Sequence, residues 1–138
     1  MIEYKKPSVT VDIFIHNKNK EFILIKRKNN PFKDSWALPG GFVDYGESLE
    51  DAAIREAKEE TNIDVNIIKQ FKVYSSPSRD PRGHTITLVF IATGDMGSML
   101  ADDDAKDINI FSFNDLEDID LAFDHKIILT EIFNFEFL

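Results

Sequence analysis

A chain of 138 residues, 43% hydrophobic and 30% charged, has the size and mix of one compact domain with a real core, so a single domain over 1–138 is expected. Its formal net charge of −9 and lack of a basic stripe argue against a nucleic-acid backbone as partner. With no cysteine there is no disulfide framework, thiolate metal site or cysteine nucleophile, and with neither a signal peptide nor a run of ~18 apolar residues the expected place is the cytoplasm, away from membranes.

The first predicted strand spans 9–16, where Val9, Val11, Ile13 and Ile15 alternate against mostly polar neighbours. "NKNK" (17–20) reads as a turn, and "FILIKR" (22–27) as a buried strand ending in charge. A loop then carries Pro31, Pro39, Gly40, Gly41 and Gly46. A helix is expected from Ser48, with Asp51 three residues on, to Asn62, a residue that tolerates a left-handed cap. Strand-like runs recur at 64–74, 84–92 and 107–113, and a second helix is expected over 124–135, with Ile128, Ile132 and Phe135 at helical spacing. Several strands and two helices in this length imply an α/β (α+β) fold: a mixed sheet with helices on its faces.

On a wheel of about 100° per residue, Leu49, Ala52, Ala53 and Ala57 form the apolar stripe of the first helix. Glu56 and Glu60 fall near its middle, one turn apart, and Glu59 at its edge, while Asp51, Arg55 and Lys58 fall on the opposite side. Like charges at that spacing repel, and a partly desolvated carboxylate is costly unless paired. Basic side chains or divalent cations supply the compensation, and small alanines leave room beside the acids. The plainer alternative is a solvated Glu/Ala-rich face.

The wider stretch "GFVDYGESLEDAAIREAKEETNI" (41–63) resembles the Nudix box, G-x5-E-x7-R-E-U-x-E-E-x-G-U, through Gly41, Glu47, Arg55, Glu56, Glu59, Glu60 and Ile63. Ala57 is smaller than the usual aliphatic residue, and Asn62 replaces the last glycine; neither change removes a carboxylate. The resemblance covers nearly the whole chain. It implies an α/β/α sandwich around a mixed sheet with a loop–helix–loop catalytic motif, and hydrolysis of a nucleoside diphosphate derivative with Mg2+ (or Mn2+). It further implies Glu56, Glu59 and Glu60 as metal ligands, a carbonyl of Gly40 or Gly41 as another, Glu47 as a ligand or water-mediated partner, and Arg55 as the residue orienting a box glutamate. For Arg55 the alternative is an exposed surface arginine, worth little to the fold.

"YSSPSRDPRGHTITLVF" (74–90) sets Arg79, Arg82 and His84 in an otherwise acidic chain, and arginine forks suit phosphate oxygens. A polar hairpin held by an Arg79–Asp80 pair is the competing reading. The segment resembles the "RDPRGH" loop of ADP-ribose pyrophosphatases, and Pro77, the run 31–48, "ADDDAKDINIFSFNDL" (101–116) and "AFDHKIIL" (122–129) are similar to blocks of that branch. This resemblance implies Arg79, Arg82, Arg27 and Asp103 as substrate contacts and Asp104 as a group assisting the base; for the two aspartates an acidic surface turn is the alternative. His125 reads as a helix-start or packing histidine, and Trp36 and Phe42 as core, although one of them could wall a pocket. Six of the 12 phenylalanines lie between 111 and 137, mostly core, and an exposed strip of them would suit a homodimer, a common state in the branch. The expected reaction is ADP-ribose plus water to AMP and ribose 5-phosphate. The alternatives are another Nudix specificity, an oxidised nucleoside triphosphate or other nucleotide sugar, and a non-catalytic ligand sensor. Relatives of the sensor kind carry a DNA-binding helix-turn-helix, for which a chain ending soon after its last helix leaves no room.

Overall fold

The computed structural model describes residues 4–99 and 105–137, and Asp103 and Asp104 lie outside them. The strands are β1 (Ser8–His16), β2 (Phe22–Arg27), β3 (Trp36–Ala37), β4 (Gly40–Phe42), β5 (Asn66–Tyr74), β6 (Thr85–Thr93) and β7 (Ala105–Phe111). The helices are α1 (Leu49–Thr61) and α2 (His125–Glu136). The strands form one mixed sheet of order β3-β2-β1-β6-β5, with β4 on β1 and β7 on β2. β1 and β6 run parallel through nine residue pairs, and the other pairings are antiparallel.

Period-2 side-chain direction turns β1 into a divider between two cores. Val11, Ile13 and Ile15 pack with Ala52, Ala53, Ala57 and Ile63 on the α1 face. Phe14 packs with Phe22, Val89, Ile128, Leu129 and Ile132 on the α2 face. This is the expected α/β/α sandwich, and the three alanines let α1 lie close on the sheet.

The stretch expected as one loop contains β3 and β4. These strands have two and three residues, too short to show alternation, and their partners are distant: β3 pairs Ile25 and Lys26, and β4 pairs Thr10 to Asp12. The last predicted strand ends at Phe111, because Ser112 and Asp115 cap a short 3-10 turn over Phe113–Asp118.

α1 begins and ends where its sequence signals lie. Ser48 Oγ accepts the Asp51 N–H (3.1 Å), satisfying an otherwise orphaned donor. Asn62 is left-handed (φ 63°), and its N–H reaches the Lys58 carbonyl at 3.0 Å.

Candidate active site

Glu56 and Glu60 are buried on the inner face of α1, as the wheel predicts, although they are charged. The β4 glycines make room for them. A Cβ at Gly41 would come within 2.5–2.8 Å of the Glu56 carboxylate, and the Gly40 N–H donates to Glu60 Oε1 at 2.8 Å. Both glycines therefore keep their backbone against the acids.

Arg55 departs from the wheel reading: its side chain curls back over the acids instead of pointing to solvent. Nε and Nη2 hold Glu47 in a two-point fork (2.7 and 2.9 Å). Nη1 donates to Glu56 (2.9 Å) and Glu59 (3.2 Å), and Nη2 also reaches the Phe42 carbonyl (3.1 Å). The wheel gives the direction of a Cβ, not the path of a side chain long enough to fold back. The fork and the Asp44 N–H hold the Glu47 carboxyl down at about 2. Burial pushes the Glu56 carboxyl up, against the opposing pull of Arg55.

A cleft of about 450 Å³, counting the solvent-open space at its mouth, lies beside this cluster. Glu60, Gly40, Gly41 and Phe42 form one wall, and Arg27, Arg79, Asp80, Arg82 and Phe123 the other, with Asp12 and His125 also in the lining. The three arginines differ. The Arg79 side chain is buried and forks onto Asp124 (2.9 and 2.7 Å) with a third bond to Thr85 (2.7 Å), so the Arg79–Asp80 pair of the competing reading gives way to Arg79–Asp124. Asp80 instead takes Arg82, through Nε (3.1 Å), Nη2 (2.8 Å) and the backbone N–H (2.9 Å). Burial pushes the Asp80 carboxyl up, but these Arg82 bonds outweigh it and hold it below the usual range. The Arg82 guanidinium lies over the rings of both Phe42 (5.1 Å) and Phe123 (5.5 Å). The Arg27 side chain donates from Nε to the Pro31 carbonyl (2.7 Å) and packs on Phe123 (4.9 Å). Burial and the neighbouring Arg82 charge lower its pKa.

Asp12, Thr87 and Phe123 were not singled out by sequence reasoning. An aspartate inside an alternating strand looks solvent-facing; here that side of β1 is covered by α2 and the α2 approach. Thr87 Oγ1 donates to Asp12 Oδ2 (2.7 Å) in the interior. Phe123 holds a left-handed backbone (φ 52°), a rarity for a bulky residue and no feature that its residue type announces. Trp36 packs in the core against Phe111 (4.8 Å), whereas Phe42 is exposed on the cleft wall.

Among the described residues no three carboxylate or imidazole groups converge as a ready-made metal cage. The donor set still suits a hard cation. Magnesium retains several waters and needs only one or two carboxylates from the protein. Glu56 and Glu60 rest against glycine backbone that no side chain can crowd.

A family model described as the NUDIX domain matches residues 6–132. The chain is 51% identical over 128 residues to the ADP-ribose pyrophosphatase of Methanocaldococcus jannaschii, covering 93% of this chain and 74% of that protein. It is 32% identical over 137 residues to the ADPR responsive transcriptional repressor NtrR of Acinetobacter baylyi, covering 95% of this chain and 55% of the repressor. A solved structure of a bifunctional NMN adenylyltransferase/ADP ribose pyrophosphatase from Francisella tularensis, complexed with AMP and a Mn ion, matches with a TM-score of 0.86 at 32% identity. That match covers 96% of this chain and 43% of the other.

Proposed function

Because the chain belongs to the NUDIX domain family, we propose that it hydrolyses the diphosphate bond of ADP-ribose, giving AMP and ribose 5-phosphate. The observation that carries this reading is the glutamate cluster gathered by Arg55 beside an arginine-lined cleft, in a chain 51% identical to an ADP-ribose pyrophosphatase.

Glu56, Glu59 and Glu60, with a carbonyl of Gly40 or Gly41, would hold Mg2+ or Mn2+. The chemistry such a cation supplies when bound is neutralisation of diphosphate charge and a lower pKa for water. Arg55 orients Glu47, Glu56 and Glu59 by hydrogen bonds, so that repelling acids stay in one geometry. Arg27 and Arg82 face the substrate's anionic oxygens, and Phe42 and Phe123 give the cleft apolar surface on both walls. A carboxylate takes the proton of the attacking water; Asp104 is proposed to assist it and Asp103 to contact the substrate. No covalent intermediate is needed. The same reading makes residues 1–138 one catalytic domain, cytoplasmic, with a small-molecule partner and neither nucleic acid nor membrane. Its support is the charge of −9, and among the described residues no helix is long and apolar enough to cross a membrane. A homodimer belongs to the reading too, supported by the exposed Ile127 and Phe135 on α2.

The test is a substrate panel with Mg2+ and with Mn2+, products identified. AMP from ADP-ribose is expected, and Glu60→Gln should lower turnover by about two to three orders of magnitude while the protein stays folded. Release from nucleoside triphosphates alone would favour another specificity. Tight ADP-ribose binding without turnover would favour a ligand sensor, the reading that similarity to the ADPR responsive repressor supports.

A further inference from the structure

The segment from Leu38 to Gly40 is held by three separate elements. His125, at the start of α2, accepts the Leu38 N–H at Nδ1 (3.0 Å). Ile13 of β1 donates to the Pro39 carbonyl (2.8 Å), and Glu60 of α1 accepts the Gly40 N–H (2.8 Å). Asp12 stands behind the His125 ring. The ring Nε2 lies 3.6 Å from Asp12 Oδ1, and the other Asp12 oxygen accepts Thr87 Oγ1. Because Nδ1 accepts, the proton of the neutral ring belongs on Nε2, the edge toward Asp12. Thr87, Asp12, His125 and Glu60 are all buried. Gly40 has no slack, since a Cβ there would collide with the Val11 carbonyl and the Asp12 carboxylate.

The result is a buried line of polar groups from Thr87 through Asp12 and, across a 3.6 Å approach, His125 to Leu38, then along the backbone to Gly40 and across to Glu60. A histidine needed only for packing would be served by an apolar residue without burying three polar side chains. We propose that His125 is a positioning residue: it fixes the Leu38–Gly40 backbone and, through the Gly40 N–H, the Glu60 carboxylate. The proposal rests on the function proposed above, in which Glu60 and Gly40 serve the reaction.

Three variants test it. In His125→Asn the amide oxygen can stand where Nδ1 stands, in His125→Gln the longer side chain places its amide near the Nε2 position, and His125→Leu offers no acceptor. His125→Leu is expected to lower kcat for ADP-ribose about 10–100-fold with KM within about twofold, the usual cost of losing a partner behind a ligand. His125→Asn should restore most of kcat. Mn2+ affinity, read by EPR on the protein alone, should fall about tenfold in His125→Leu, with faster hydrogen exchange at the Leu38 amide. If His125→Leu fails to fold, the two amide variants decide: kcat higher for His125→Asn than for His125→Gln supports the proposal, and equal values overturn it. A kcat and Mn2+ affinity within about twofold of the parent in a folded His125→Leu would reduce His125 to a packing residue. A parent protein inert toward ADP-ribose would instead remove the proposed function, leaving Mn2+ affinity and Leu38 exchange to judge His125.

Discussion

Arg27, Arg79 and Arg82 line one cleft, yet their hydrogen bonds divide the work. Arg79 spends its guanidinium on Asp124 and Thr85, so its charge braces the approach to α2. Arg79→Ala would leave the Asp124 carboxylate, 14% exposed, without its partner. Breaking such a pair costs about 3–5 kcal/mol, so the variant should melt far below the parent. Arg27 is expected to do the opposite. Its loss strands no ion pair among the described residues, and Arg27→Ala should keep the melting temperature within about 2 °C while raising KM about tenfold, the worth of one charge-assisted contact. Paired melts and steady-state kinetics on both variants check the assignment. Residue types alone do not separate Arg79 from Arg27: both suit an anion, and only the position of Asp124, 45 residues from Arg79, shows that Arg79 is already engaged.

α1 was the most legible element because its signals are local. Ser48, the alanine stripe and Asn62 each act within one or two turns, and the structure ends the helix where they say. β3 and β4 were illegible for the converse reason. Gly40 and Gly41 carry no side-chain pattern, and their strand exists through pairing with β1, about 30 residues upstream. The box glutamates could be read from spacing, but the Asp12–His125 line could not, since it joins β1 to α2 across the fold. The left-handed cap gives a direct test of the local signal. Asn62→Gly should hold the melting temperature within about 2 °C, because glycine accepts φ 63° freely even as the Asn62 bond to the Ser98 carbonyl is lost. Asn62→Val forces a β-branched residue into that conformation at about 1–2 kcal/mol, a fall of about 3–6 °C in a differential scanning experiment.

Across the whole molecule, the two cores meet at a sheet whose polar positions are buried, and this shapes its response to acid. His125 is enclosed by Asp12 from β1, Asp124 at its own helix start, Arg79 from the β5–β6 loop and Arg27 from β2. Burial lowers its pKa from 6.5; the two aspartates oppose that shift, and the two arginines reinforce it. The folded protein thus resists protonating a ring that the unfolded chain protonates readily. Stability from this group is complete above pH 6.5 and is lost as pH falls toward the lower folded value. Asp80 and Glu47, both depressed, add losses in the same direction at lower pH, below the carboxylate range of the unfolded chain. Glu56 runs the other way, because its raised carboxyl is relieved of charge as acid is added. Histidine titrates first on the way down from neutrality. The parent should therefore lose up to about 1.4 kcal/mol per pH unit just below pH 6.5, a slope of about 3 °C per unit in melting temperature. His125→Asn carries no titrating group at that position, and its melting temperature should lack this fall over the same interval. Melts at half-unit steps from pH 7.5 to 5 measure both slopes, and equal slopes in parent and variant would assign the acid sensitivity to other groups.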